Sequence, residues 1–426
     1  MPFRLHLLPN ARRWFTLNCP LRRIIPRASV ALNAATLVPL VTAATNDRAK
    51  LSENFPALQL DQREKLPVSV QSLLAYIDSE TALSAFRGGQ YRFVGGGGDV
   101  QPYMLVHFLV DRAAVTSAEV AVSDLERYLQ APEIPCVQRI LVCGVGASAP
   151  FEIEPGTTFI PWGQIKDADE ILEQEAARVR AGALFSYPSG VIDREIVLPK
   201  ILVDPGREPP SVNDWSNTDT STLALALQLV CPDAVALPAN WIRFPDWCVI
   251  WQRGMRYLWV NLERTGTHQM TETDITELRS LLTRIRALGQ KDYDTLRLAT
   301  SRLVLAQSHM QPVERAIDLR IAYEMTFFMG DTGDPRYQGE LRFRLAMHAA
   351  KLLGQAKTAD ERKQIFKVGR DLYDMCSGAI HSGRISSDFD GERGQRLLSE
   401  GATMVRLALK EMLMNGKPSW PDVLMA

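Results

Sequence analysis

The segment Leu372-Tyr-Asp-Met-Cys-Ser-Gly-Ala-Ile-His-Ser-Gly383 carries the densest set of side chains able to move a proton or bond a ligand. Ser377 and His381 stand four residues apart, which puts them on one face of a helix. Asp374 lies on the same side, about a turn further back. Imidazole is the side chain whose ordinary titration range spans neutrality, so a histidine there can take and return a proton. The small residues at 377–379 and 382–383 leave room for a large ligand to approach. Cys376 and His381 do not read as a thiol dyad, because five residues turn a helix about 140° out of alignment. A helix end with a packed histidine is the plainer reading, and the residues alone leave both open.

Other chemical groupings are weaker. The glycines at 95–98 are followed by Asp99-Val-Gln-Pro102, without the helix or the Lys-Ser/Thr pair of a phosphate cradle, and so predict a flexible loop. Cys143-Gly-Val-Gly-Ala-Ser lacks the third glycine of a dinucleotide fingerprint, and Pro150 stops any helix after it. The tryptophans at 241, 247, 251 and 259 could stack bases, but strand positions packed into a core account for them more simply. The histidines at 6, 107, 268, 309, 348 and 381 show no metal-ligand spacing, so no metal site and no cofactor are expected.

The elements that must position these residues fall into three zones. Residues 1–65 are weakly patterned, with arginines at 4, 12, 13, 22, 23 and 27 before the first acid, Asp47. They predict a disordered basic arm, or a start codon placed too far upstream. The apolar stretch at 31–44 is too interrupted for a secretory signal. Residues 66–262 predict a mixed α/β (or α+β) recognition domain. Its strands are expected at 90–94, 103–110, 137–145, 195–203, 241–253 and 256–263, and its helices at 117–130 and 167–181. The stretch 204–220 predicts a long exposed loop. Residues 270–416 switch to helical periodicity. Six helices are expected there, at about 271–289, 293–308, 312–328, 339–353, 358–381 and 392–414, forming an all-α bundle.

Composition narrows the class. Hydrophobic residues at 46% and charged residues at 23% of 426 exclude wholly disordered, collagen-like and disulfide-scaffold chains. A net charge of −1 means that any nucleic-acid contact must come from a local patch. Six cysteines without a CxxC predict reduced thiols and a cytoplasmic protein. No run of about 18 apolar residues occurs, so no membrane span is expected.

Over roughly residues 300–415 the chain resembles the HEPN superfamily, most closely the Apea-like HEPN domains of prokaryotes. Three blocks carry the resemblance. Ala316-Ile-Asp-Leu-Arg-Ile-Ala-Tyr-Glu-Met-Thr-Phe-Phe resembles a helix with an Ala-x-Glu core. Gly339-Glu-Leu-Arg-Phe-Arg-Leu-Ala-Met-His-Ala-Ala-Lys-Leu-Leu-Gly354 resembles E-L-x-x-R-L-x-x-R-A-A-x-L-L-G. Leu372 to Gly383 resembles L-Y-x-x-R-S-x-x-V-H-x-G.

The resemblance implies a helical bundle that homodimerises and places an R-x(4–6)-H motif from each protomer on a shared cleft. Many such domains are metal-independent endoribonucleases of antiphage defence or toxin systems. It maps His381 onto the motif histidine and Ser377 onto the polar residue after the motif arginine. Glu324 and Arg344 map onto positions with structural roles. Cys376 stands where the arginine should, and a neutral thiol supplies no positive charge to a phosphate. Arg370 lies eleven residues before His381, about 16 Å along a helix, too far to substitute. Arg384, three residues past His381, could fold back or act from the partner. Arg342 and His348 match R-x(5)-H on the wrong helix. Two functions follow from the resemblance: an RNA-binding or RNA-cleaving factor with a degenerate motif, or a non-catalytic module that dimerises and binds RNA, a nucleotide or a protein. The remaining reading is an unrelated enzyme with its site in 66–262.

Overall fold

The computed structural model describes residues 32–53, 63–87, 90–93, 96–99, 101–166, 172–173, 177, 188–199, 202–203, 215–249, 255–257, 262–328 and 341–420. Helices dominate around one principal antiparallel sheet, giving a mixed α/β fold.

The N-terminal helices are α1 (Ala34–Asn46), α2 (Arg48–Glu53), α3 (Val68–Ser79), α4 (Pro102–Val115) and α5 (Ala118–Gln130). α1 packs on α3, α4 and α5, burying Leu37, Val41 and Ala44 in a shared core. Residues 34–46 are therefore a packed helix, not part of a disordered arm. The interruptions that spoiled the signal-like pattern, Thr36, Pro39 and Thr42, fall outside its buried stripe. The strand expected at 103–110 is also helical. α4 buries Leu105, Val106, Phe108, Leu109 and Val110, so its apolar run is continuous and shows no 3.6-residue period. Pro102 at its first turn was the usable signal. α5 begins as expected, with the Ser117 hydroxyl accepting from the Val120 N–H at 3.3 Å. Its buried face is Ala118, Ala121, Val122, Leu125 and Tyr128, and Val120 is exposed.

The strands are β1 (Gln90–Phe93), β2 (Gly96–Asp99), β3 (Glu133–Cys143), β4 (Val145–Gly146), β5 (Phe151–Glu154), β6 (Thr157–Pro161), β7 (Pro188–Pro199), β8 (Leu202–Val203), β9 (Ala239–Arg243), β10 (Met255–Tyr257) and β11 (His268–Gln269). The principal sheet runs β10-β9-β3-β7-β6-β5, every pair antiparallel. Gly96, Gly97 and Gly98, expected in a loop, pair with β1. The exposed loop expected over 204–220 divides: 204–214 lie outside the described residues, and Thr220 lies within α6 (Trp215–Val230). Most of the helix expected at 167–181, together with Trp251 and Trp259, also lies outside them. Trp241 is buried in β9, and Trp247 lies under the Arg127 guanidinium at 4.5 Å.

Strand β3 joins the cores. Ile134 and Cys136 belong to the N-terminal helical core, whereas Ile140 and Val142 belong to the core shared with the C-terminal helices. Leu141 and Cys143, of opposite parity, join Val191 and Trp241 in a third cluster. Across that sheet the buried Arg139 donates to both carboxylate oxygens of Asp193, at 2.7 and 2.6 Å.

The six expected C-terminal helices are α7 (Glu272–Arg286), α8 (Gln290–Ser308), α9 (Pro312–Phe327), α10 (Leu341–Leu353), α11 (Ala359–Ser382) and α12 (Gly391–Asn415). α12 is central, packing on α7, α8, α9, α10 and α11, and also on α6. One apolar cluster extends from Ile140 and Ile192 of the sheet through α6 and α7 into this bundle. The bundle is therefore continuous with the sheet rather than separated from it. At the join, His309 lies between two carboxylates. Its Nδ1 is 3.1 Å from Glu263 and its Nε2 is 3.0 Å from Asp318, which also accepts from Arg302 at 2.8 Å.

Candidate functional site

Helix α11 presents the segment that drew attention in the sequence. It opens on a capping box, with the Thr358 hydroxyl accepting from the Glu361 N–H and the Glu361 carboxylate accepting from the Thr358 N–H at 2.8 Å. It ends at Gly383, whose φ of 66° is the left-handed conformation that favours glycine. Its buried stripe is Gly369, Leu372, Met375, Cys376 and Ala379.

Two glycines seat this stripe. A Cβ on Gly369 would meet the Tyr323 hydroxyl at 2.5 Å, and one on Gly401 of α12 would meet Leu372 Cδ2 at 2.7 Å. Close approach of α9, α11 and α12 therefore fixes which face of α11 turns outward.

That rotation separates the sequence candidates. His381 is exposed in the last turn, beside Ile380, which is 45% exposed. Ser377 is half-buried one turn earlier, and neither it nor His381 has a side-chain hydrogen bond among the described residues. Arg384 lies past the helix end, exposed, and forms no ion pair among the described residues. Asp374 is bound to Arg342 at 2.5 Å and so does not orient His381. Burial pushes the Asp374 carboxyl above its usual range, against the pull of Arg342.

Cys376 points the other way. It is 0% exposed, and burial raises its thiol to about 12, with Arg320 opposing the shift and Glu324 adding to it. The position that matches the motif arginine is thus a core position in this chain. Arg342 and His348 also diverge, since His348 is buried, stacked on Trp420 with ring centroids 4.1 Å apart.

Sequence reasoning missed Arg320. It is 8% exposed, near Cys376, with its guanidinium 3.6 Å from the centre of the Tyr373 ring. Its Nε donates to Glu324, and its Nη1 is buried without a partner among the described residues. Arg320 and Glu324 are four residues apart, but that spacing is common on helices, and only the packing against α11 gives it meaning. A groove of about 640 Å³ lies elsewhere, where the end of α10 and the start of α11 meet α12. Leu353, Ile365, Val368, Met404 and Leu407 are among its walls, and none of the candidates lines it.

Among the described residues, no group of His, Cys, Asp and Glu is arranged to hold a metal ion, and no helix is long and apolar enough to cross a membrane. No protein-family model, curated protein or solved structure matches this chain. The arrangement on α11 offers an exposed imidazole, a hydroxyl and a flanking guanidinium at one helix end. These groups can exchange hydrogen bonds with a polar ligand such as a phosphate.

Proposed function

We propose that this chain is a HEPN-like module that binds single-stranded RNA on the outer face of α11, with the backbone received by His381, Ser377 and Arg384. It acts as a homodimer in a prokaryotic defence or toxin setting, and it does not cleave what it binds. The observation that carries this reading is the burial of Cys376 at the position of the motif arginine, while His381 and Arg384 remain exposed. A general acid–base histidine without its charge partner forfeits about 100–1,000-fold in rate.

The test is RNA binding by fluorescence anisotropy together with cleavage of end-labelled RNA in EDTA. Wild-type binding weakened about ten-fold in His381→Ala with Arg384→Ala, and no cleavage, is the expected result. Cleavage lost in His381→Ala would instead make the chain a nuclease. Absence of RNA binding would remove the RNA reading altogether.

A further inference from the structure

One face of α12 lies open. Met404 and Leu407 stand three residues apart on it, and Glu400 and Glu411 flank them by a turn on either side, so all four share one side of the helix. They line the groove of about 640 Å³ that α12 forms with the end of α10 and the start of α11. Leu407 is 46% exposed there, and the other two helices supply Leu353 and Ile365. A concavity of this size, apolar with a few charged groups, is the ordinary form of a binding site.

The charges on its walls are uneven. Lys357 is matched by Glu361 at 3.8 Å. Glu411 accepts from the side-chain amide of Asn415 at 2.6 Å and has no cationic partner among the described residues. Glu400 has only Arg396, at 4.0 Å, with both side chains largely in water, and such a contact contributes little. The groove therefore suits apolar side chains that bring cations with them.

The chain contains such a segment. Residues 1–31 hold six of the 48 basic residues and none of the 49 acidic ones, so the remaining residues carry a net charge of −7. Opposite net charges of that kind draw the two parts together. Within the segment, Arg12-Arg13-Trp14-Phe15-Thr16-Leu17 places two guanidiniums directly before three large apolar residues. These six residues span at most about 20 Å, against about 16 Å from Glu400 to Glu411 along α12. From Leu17 to Leu32, where the described residues begin, the chain reaches up to about 50 Å. A compact chain of this length has a radius of gyration of about 22 Å, so the tether is long enough.

We propose that this groove is the docking site for the chain's own N-terminal segment. Trp14, Phe15 and Leu17 enter between α10, α11 and α12, and Arg12 and Arg13 meet Glu400 and Glu411. None of the residues around His381 lines the groove, so the docking is independent of the RNA reading.

The test is photo-crosslinking in the full-length protein, with p-benzoylphenylalanine in place of Phe15 and the joined peptides identified by mass spectrometry. Crosslinks to residues 352–368 and 399–411 are expected. They should be lost in Leu407→Lys, which puts a like charge in the groove, and in Glu400→Arg with Glu411→Arg. Adding Arg12→Glu and Arg13→Glu to that double variant should restore them, which a merely misfolded variant cannot do. Unfolding midpoints of each variant check the fold. Crosslinks that fall elsewhere on the chain, or that persist through the charge reversal, would overturn the proposal, as would their absence from folded wild type. A mixture of isotopically light and heavy protein tests the other occupant. Crosslinks joining light to heavy chains would give the groove to a second copy and overturn docking within one chain.

Discussion

At the scale of the residue, one side chain changes the meaning of the whole segment. Cys376 is the residue after Met375 in a buried stripe, so an arginine there would enter the core beside Arg320. Cys376→Arg should therefore destabilise the fold by about 3 kcal/mol or more, through an unpaired buried charge, and should not create activity. Urea unfolding measures the first effect and RNA cleavage the second. By contrast His381→Ala should leave stability within about 0.5 kcal/mol, as expected for an exposed site. Burial raises the thiols of Cys136, Cys143, Cys231 and Cys376 to about 12, so at pH 8 these four should resist iodoacetamide until the protein unfolds. Peptide mapping after alkylation, with and without urea, checks this. His381, Ser377 and Arg384 were legible because their types and spacing are local facts. Arg320 was not, because its significance lies in a partner fifty-three positions away, the ring of Tyr373.

At the scale of the element, the C-terminal helices were legible in order and almost to the residue. Their starts are written in capping boxes, Thr271 with Asp274 and Thr358 with Glu361, and α11 stops where glycine takes a left-handed conformation. Thr358→Ala should cost about 1 kcal/mol by unfolding, the usual loss for a removed cap. Gly401→Val places a branched side chain against Leu372 and Leu319, and should cost roughly 1–3 kcal/mol while loosening α11. If α11 carries the binding face, the same variant should weaken RNA binding without touching any RNA contact. The N-terminal helices were less legible. α4 is apolar on most sides because it is buried by α1, α3 and α5, which erases the period that would mark it as a helix. α6 was hidden behind the turn-forming residues that precede Trp215.

At the scale of the whole molecule, ion pairs tie the sheet to the helices. Arg286 of α7 grips Glu154 of β5 with both terminal guanidinium nitrogens, one bond measuring 2.9 Å, and holds that carboxyl below its usual range. The Met310 N–H and then His309 do the same for Glu263. A carboxyl lowered in the folded state contributes stability in full above its unfolded value near 4.5, and loses it as pH falls through the folded value. Unfolding midpoints should therefore drop on acidification below about pH 4.5, and Glu154→Gln should flatten that drop. A profile unchanged by Glu154→Gln would show that the pair contributes nothing to this dependence. His309→Ala should cost roughly 1–3 kcal/mol, by removing the bridge between Glu263 and Asp318.

The sequence by itself determined where the C-terminal helices begin and end, because caps, glycines and a 3.6-residue period are written within each segment. It also determined which residue types gather at the end of α11. Only the tertiary structure decided which way those residues face. Close packing at Gly369 and Gly401 sets the rotation of α11, and that rotation places Cys376 inside and His381 outside. It likewise decided that the stretch at 34–46 is core and that Arg320 meets Tyr373. Such facts depend on contacts between distant segments, which no local pattern encodes.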